Sequence, residues 1–150
     1  ADMPEIDYLV ISHDHWDHLD YETVMQLKNR VDKVVCPLGV GEHFEYWGFS
    51  PERIVELDWE EQALLDDGFR IHCLPARHFS GRGLARNRSL WASFLVTGSR
   101  RKVFIGGDGG YDTEENTFSD WRHHQPHQGE AAIRHTAFCI YFITPHGCKK

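Results

Sequence analysis

The chain has 150 residues, 41% of them apolar and 26% charged, which fits one ordinary domain, or a piece of a larger one, and excludes a fibrous or wholly disordered polypeptide. Sixteen basic residues against 23 acidic ones leave a net charge of −7, which argues against a general nucleic-acid-binding surface and leaves room only for a local patch. No apolar run approaches the roughly 18 to 20 residues of a membrane helix, and the four scattered cysteines (Cys36, Cys73, Cys139, Cys148) form neither a C-x-x-C pair nor a disulfide scaffold, so no transmembrane segment and a reducing, cytoplasmic setting are expected.

Residues 7–12, Asp-Tyr-Leu-Val-Ile-Ser, are a short apolar run expected to be a buried strand. A polar loop, 13–20, leads into a predicted helix over 21–30, with Val24 and Leu27 at helical spacing and Asp20 as its N-cap. Residues 33–36 read as a strand stopped by Pro37. A short helix over 41–47, ended by Gly48, and a strand over 53–57 follow. The turn signal Asp66-Asp67-Gly68 sits between 62–65 and 69–74 and predicts a hairpin. Residues 75–88 are loop, 89–97 and 102–105 are strands about the turn at Gly98-Ser99, and 106–110 are a glycine-rich loop. After Tyr111 the periodicity fades. Residues 114–130 are polar and histidine-rich, and 137–144 read as one last strand. The chain is thus expected to divide into a main unit, 1–112, and a divergent, poorly ordered tail, 113–150.

The eleven histidines are not spread evenly. His13, His15 and His18 fall within Ser12-His-Asp-His-Trp-Asp-His18, an H-x-H-x-D-H pattern directly after a strand, and His123, His124, His127 and His135 lie in the tail. Two imidazoles at i and i+2 on a strand end can face one ion, and the Asp17 and His18 that follow can turn toward a second. Imidazole nitrogen with carboxylate oxygen suits zinc, and with less preference iron or manganese. Two further candidates also follow predicted strands: His78, and Asp108 in Gly106-Gly-Asp-Gly-Gly110, where a carboxylate among glycines can approach two cations at once. Asp14 and Asp20 flank the ligands as candidate acceptors for imidazole N–H groups.

This ordered set resembles the metallo-beta-lactamase superfamily. Leu74-Pro-Ala-Arg-His78, Ser89-Leu-Trp-Ala-Ser93 and Gly107-Asp-Gly-Gly-Tyr111 are similar to the branch of N-acyl phosphatidylethanolamine-hydrolysing phospholipase D and its bacterial relatives. The resemblance covers about residues 5–112 and implies an α/β fold, the αββα sandwich. It implies two divalent metal ions, with zinc first choice: His13, His15 and His78 on the first, Asp17 and His18 on the second, and Asp108 between them. It implies that Asp17 and Asp108 are the carboxylates engaged in catalysis. Two cations about 3.5 to 4 Å apart share a water and lower its pKa toward neutrality, giving hydroxide for hydrolysis. The implied activity is that of a metal-dependent hydrolase, foremost a phosphodiesterase, with a lactonase or a catalytically incomplete metal-binding fragment as the alternatives.

Arg77 and Arg82, beside His78, are candidates for binding a small anionic or phospholipid-like substrate, because the guanidinium fork suits phosphate. Arg86 and Arg88 share that loop; Trp16 and Trp91 are expected to pack beneath the site or line it. Only about a dozen residues precede the H-x-H-x-D-H loop, so the chain is expected to be an internal, incomplete part of the family fold, and to self-associate through uncovered sheet surface. A closing histidine for the second metal is expected later in the chain; His146 is the candidate.

Overall fold

The computed structural model describes residues 3–109, 131–133 and 140–142. Two sheets lie face to face, with short helices over the outer side of one. The first sheet has the order β3-β2-β1-β9, from β1 (Ile6–Val10), β2 (Val31–Pro37), β3 (Ile54–Leu57) and β9 (Ile140–Phe142). Strands β1, β2 and β3 are parallel, joined by helices α1 (Tyr21–Leu27) and α2 (Gly41–Tyr46), and β9 runs antiparallel to β1. The second sheet, β4-β5-β6-β7-β8, holds β4 (Gln62–Leu64), β5 (Arg70–Leu74), β6 (Ser93–Thr97), β7 (Lys102–Ile105) and β8 (Ala131–Ile133). It is antiparallel from β4 to β7, and β8 joins β7 in parallel.

The unbroken apolar run of β1 follows from burial on both faces, as is usual for parallel strands inside a sandwich. Leu9 and Ile11 join the core beneath the helices with Val24, Leu27, Val34 and Phe44. Tyr8 and Val10 enter the core between the sheets with Val35, Ile71, Phe94 and Val96. Helix α1 starts where expected: the Asp20 carboxylate accepts from the Thr23 amide at 2.8 Å. It stops at Leu27, short of Arg30, because the chain turns there, with the Arg30 amide bonded to the Leu27 carbonyl at 2.8 Å, to enter β2. The expected hairpin about 66–68 is present: β4 and β5 pair antiparallel and are joined through a single 3-10 turn, Asp66–Gly68.

Strand β6 begins at Ser93, four residues later than the sequence suggests. Residues 89–92 bond across to other loops instead of extending the ladder: the Leu90 amide to the Leu38 carbonyl at 2.8 Å, and the Ala92 amide to the Ser12 carbonyl at 2.9 Å. Of the tail, the expected last strand is present as Ile140–Phe142, and Ala131–Ile133 is a strand where none was read. The 114–130 stretch and His146 lie outside the described residues.

Strands β5 and β7 both run antiparallel to β6, so their C-terminal ends share one edge of the second sheet. The Ala92–Ser12 bond brings that edge against the C-terminal end of β1. Loops 13–20, 75–92 and 106–109 therefore meet on a single rim.

Candidate metal centre

His13 leaves β1 three residues after Val10 and is 1% exposed. Its Nδ1 lies 2.9 Å from Ser12 Oγ, which orients the ring and leaves Nε2 facing the rim. That Nε2 is 2.9 Å from His15 Nδ1 and 3.1 Å from His78 Nε2, and the last two nitrogens are 3.2 Å apart. Three ring nitrogens in such a triangle cannot satisfy one another. A proton on one leaves the other two facing lone pair to lone pair; protons on two bring N–H against N–H. A metal ion resolves the conflict. Zinc–imidazole bonds of about 2.0 to 2.1 Å in tetrahedral array put ligand atoms about 3.3 Å apart, close to the observed triangle.

Beside it lies a second group of donors, His13, His18 and Asp108. The His18 ring centroid is 4.1 Å from that of His13, and His18 Nε2 is 3.1 Å from Asp108 Oδ2. Asp17 is more open, 66% exposed, with Oδ2 3.8 Å from His18 Nε2. The tight turn that sets these directions is held by the amides of His18 and Leu19, both bonded to the His15 carbonyl, at 3.0 and 2.8 Å. Asp108 approaches because Gly107 has φ +55° and no side chain; a Cβ there would come within 3.0 Å of Ser12. Ser93 Oγ donates to the Gly106 carbonyl at 3.0 Å and ties this loop to β6.

Electrostatics favour the metal-ready state. Burial, and then the neighbouring imidazoles of His18, His78 and His15, push the His13 pKa down from 6.5 to about 3. His78 is lowered too, by burial and then by His15. Both rings are neutral at pH 7, with lone pairs available.

His78 is placed by its own loop. Trp91 Nε1 donates to the Ala76 carbonyl at 2.7 Å, and Trp91 packs edge-on against Trp59, whose Nε1 donates to the Trp91 carbonyl at 2.7 Å. Trp91 is thus a half-buried strut, whereas Trp16 is 63% exposed, next to the ligands. Arg77 lies exposed beside His78. Arg82 turns back toward the metal loop: its Nη1 donates to the carbonyls of Asp14 at 2.9 Å and Leu19 at 2.5 Å, and its guanidinium lies 3.9 Å from the centre of the Trp16 ring.

Asp14 and Asp20 part company. Asp20 caps α1 at the surface, while Asp14 is 4% exposed. Its carboxylate accepts from the Gly81 amide at 2.7 Å and Ser89 Oγ at 3.1 Å, and Oδ2 lies 3.7 Å from His43 Nε2. Burial raises its pKa, but the bonds from His43, Gly81 and Ser89 outweigh that and bring it to about 2. Ser89, Gly81 and His43 were not legible in this role, since their positions read as strand, loop and helix.

A family model described as a beta-lactamase superfamily domain matches residues 1–126, beyond the stretch whose motifs carry the resemblance. An uncharacterized protein of Mycobacterium tuberculosis is 50% identical over 112 residues, covering 74% of this chain and 30% of that protein. N-acyl-phosphatidylethanolamine-hydrolyzing phospholipase D 1 of Caenorhabditis elegans is 34% identical over 119 residues, covering 73% of this chain and 33% of its own length. Among solved structures, CmlA, a diiron beta-hydroxylase from Streptomyces venezuelae, superposes with a TM-score of 0.66 at 26% identity, over 83% of this chain and 25% of that one. The two sheets with their helices are accordingly part of an α/β sandwich. With the H-x-H-x-D-H loop, the rim of ligand-type residues and the match over residues 1–126, the chain belongs to the beta-lactamase superfamily domain family, and it spans about a third of the length of these curated relatives.

Proposed function

We propose that this chain carries the binuclear metal centre of a hydrolase that cleaves phosphodiesters of the phospholipid type. The observation that carries the reading is the pair of adjoining donor groups, His13/His15/His78 and His13/His18/Asp108, on one rim. In this reading His13, His15 and His78 would hold one ion, Asp17 and His18 the other, and Asp108 would be shared between them; Asp17 enters on the sequence motif, since the second observed donor group is His13, His18 and Asp108. Zinc is the first choice for so imidazole-rich a set. When bound, two such ions would supply Lewis acidity and an activated water for hydrolysis, so no serine or cysteine nucleophile would be needed.

The chain's own residues do the rest. Ser12 holds the His13 ring in one orientation. Gly107 lets the Asp108 carboxylate come in close. Arg77, exposed next to His78, is proposed to meet the anionic headgroup, with Arg82, which lies against Trp16 beside the metal loop, as the second candidate. The phosphodiester assignment is supported by the 34% identity to a phospholipase D that hydrolyses N-acyl phosphatidylethanolamine. Cytoplasmic placement goes with Cys36 and Cys73 being buried free thiols. Among the described residues, no helix is long and apolar enough to cross a membrane.

The test is turnover of a chromogenic phosphodiester and of a lactone by metal-loaded protein. The expected result is diester hydrolysis, abolished by chelator and reduced at least about a hundredfold in His78→Ala. Lactone cleavage alone would move the assignment to a lactonase, and metal binding without either activity would leave an incomplete metal-binding fragment. A second reading has one observation behind it: the likeness to the diiron hydroxylase CmlA. Iron, rather than zinc, in protein purified without added metal would favour it.

A further inference from the structure

Asp14 stands between two ligands, yet belongs to neither donor group. Its carboxylate instead reaches residues 67 and 75 positions away in the chain: the Gly81 amide at 2.7 Å and Ser89 Oγ at 3.1 Å. Both belong to the segment that carries His78. Ser80 Oγ donates to the Ser89 carbonyl at 2.5 Å, and the Asn87 amide to the Ser80 carbonyl at 3.0 Å, so the 80–89 loop is closed on itself. The Asp14 carbonyl is held from the same loop by Arg82 Nη1. Gly81 has φ +144°, and its Cβ position lies 3.3 Å from the Ala85 carbonyl oxygen and Arg86 Cα, so a side chain would crowd the turn that aims its amide at Asp14.

His13 and His15 come from the first sheet and His78 from the second. Nothing covalent short of 60 residues sets their spacing. A three-nitrogen triangle about 3 Å on a side needs its corners fixed to a few tenths of an ångström, and loops alone do not provide that. We propose that Asp14 is a positioning residue for the first metal: its carboxylate clamps the loop bearing His13 and His15 to the loop bearing His78, and so preorganises the three-histidine site. The inference rests on the metal reading above.

The test is a cobalt(II) titration of the metal-free protein, followed by visible absorption, for wild type, Asp14→Ala, Asp14→Asn and Ser89→Ala. In the wild type cobalt binds the three-histidine site. Asp14→Ala is expected to weaken the first-bound ion by about 10- to 100-fold and to alter its absorption band, as loss of a supporting partner behind a ligand does. Asp14→Asn keeps an oxygen for the Gly81 amide and is expected to recover most of that loss; Ser89→Ala is expected to lose only several-fold. Wild-type affinity and spectrum in a folded Asp14→Ala protein would overturn the proposal while leaving the metal reading intact. So would an Asp14→Ala protein that fails to fold beside a folded Ser89→Ala protein that binds cobalt normally. A wild type that binds no cobalt would overturn both.

Discussion

A histidine held neutral by burial makes the folded state sensitive to acid. The unfolded chain takes up a proton at His13 near pH 6.5, the folded chain only near 3. Between those values the unfolded state binds more protons, so stability of the metal-free protein rises with pH across that window and falls as pH is lowered through it. Asp14 adds a loss of the same direction at lower pH, between its ordinary 3.8 and about 2. Denaturant midpoints of the metal-free protein at pH 7.5, 6 and 5 should decline steadily, and the slope should flatten in His13→Gln; a flat wild-type profile would mean His13 is not held as described. Gly107→Ala is a second single-residue prediction. Its positive φ and the 3.0 Å approach to Ser12 make any side chain costly, by about 1 to 2 kcal/mol. The variant should release the ion near His18 and Asp108 before the ion at the three histidines, as read by stepwise chelator competition. The ligand-type residues were legible at this level because metal chemistry restricts residue type and spacing. Asp14 was only half legible: a buried clamp and a solvated loop residue look the same until the partner 67 positions away is known.

Helix α2 shows how elements, too, depend on partners distant in sequence. Its N-cap, Val40, offers no side-chain acceptor, and Glu56 Oε1 on β3 accepts instead from the amides of Gly39 and Gly41, both at 2.8 Å. A Cβ on Gly41 would lie 2.7 Å from that oxygen, so a side chain there would displace the Glu56 carboxylate from the two amides. Glu56→Ala should cost about 1 to 2 kcal/mol in a denaturant transition while leaving metal stoichiometry unchanged. Phe44 on the same helix is fully buried and packs edge-on with Phe49 at 5.2 Å. Phe44→Ala should cost about 3 to 5 kcal/mol, close to the whole stability of a small domain. The alternation of buried runs with amphipathic ones made β1, α1, β2, α2 and β3 readable. Residues 89–92 misread as strand because apolar residues facing a loop crossing carry the same local pattern as those in a ladder. What distinguishes them is the Leu38 and Ser12 carbonyls they reach, which no local window contains.

The molecule as a whole is two sheets whose touching rims bring together one set of ligand-type residues, so on the proposed reading metal should stabilise the sandwich and not merely occupy it. An ion that binds only the folded state adds stability in proportion to the logarithm of its concentration over Kd. Among the described residues, β4 pairs on one side only, with β5. Edge strand β4 carries Leu64 at 70% exposure, which favours self-association of the isolated chain. Light scattering at micromolar concentration should show species larger than a monomer, and a clean monomer would remove that expectation. The parallel–antiparallel division between the two sheets was not legible, because pairing direction depends on which strand ends meet rather than on any one strand's sequence. The binuclear centre is tested most directly by elemental analysis of protein purified without added metal, beside a His13→Ala, Asp108→Ala double variant. Two adjoining sites predict about two equivalents of divalent metal per chain, falling below one in the variant; no stoichiometric metal in the wild type, or the same content in the variant, would contradict it.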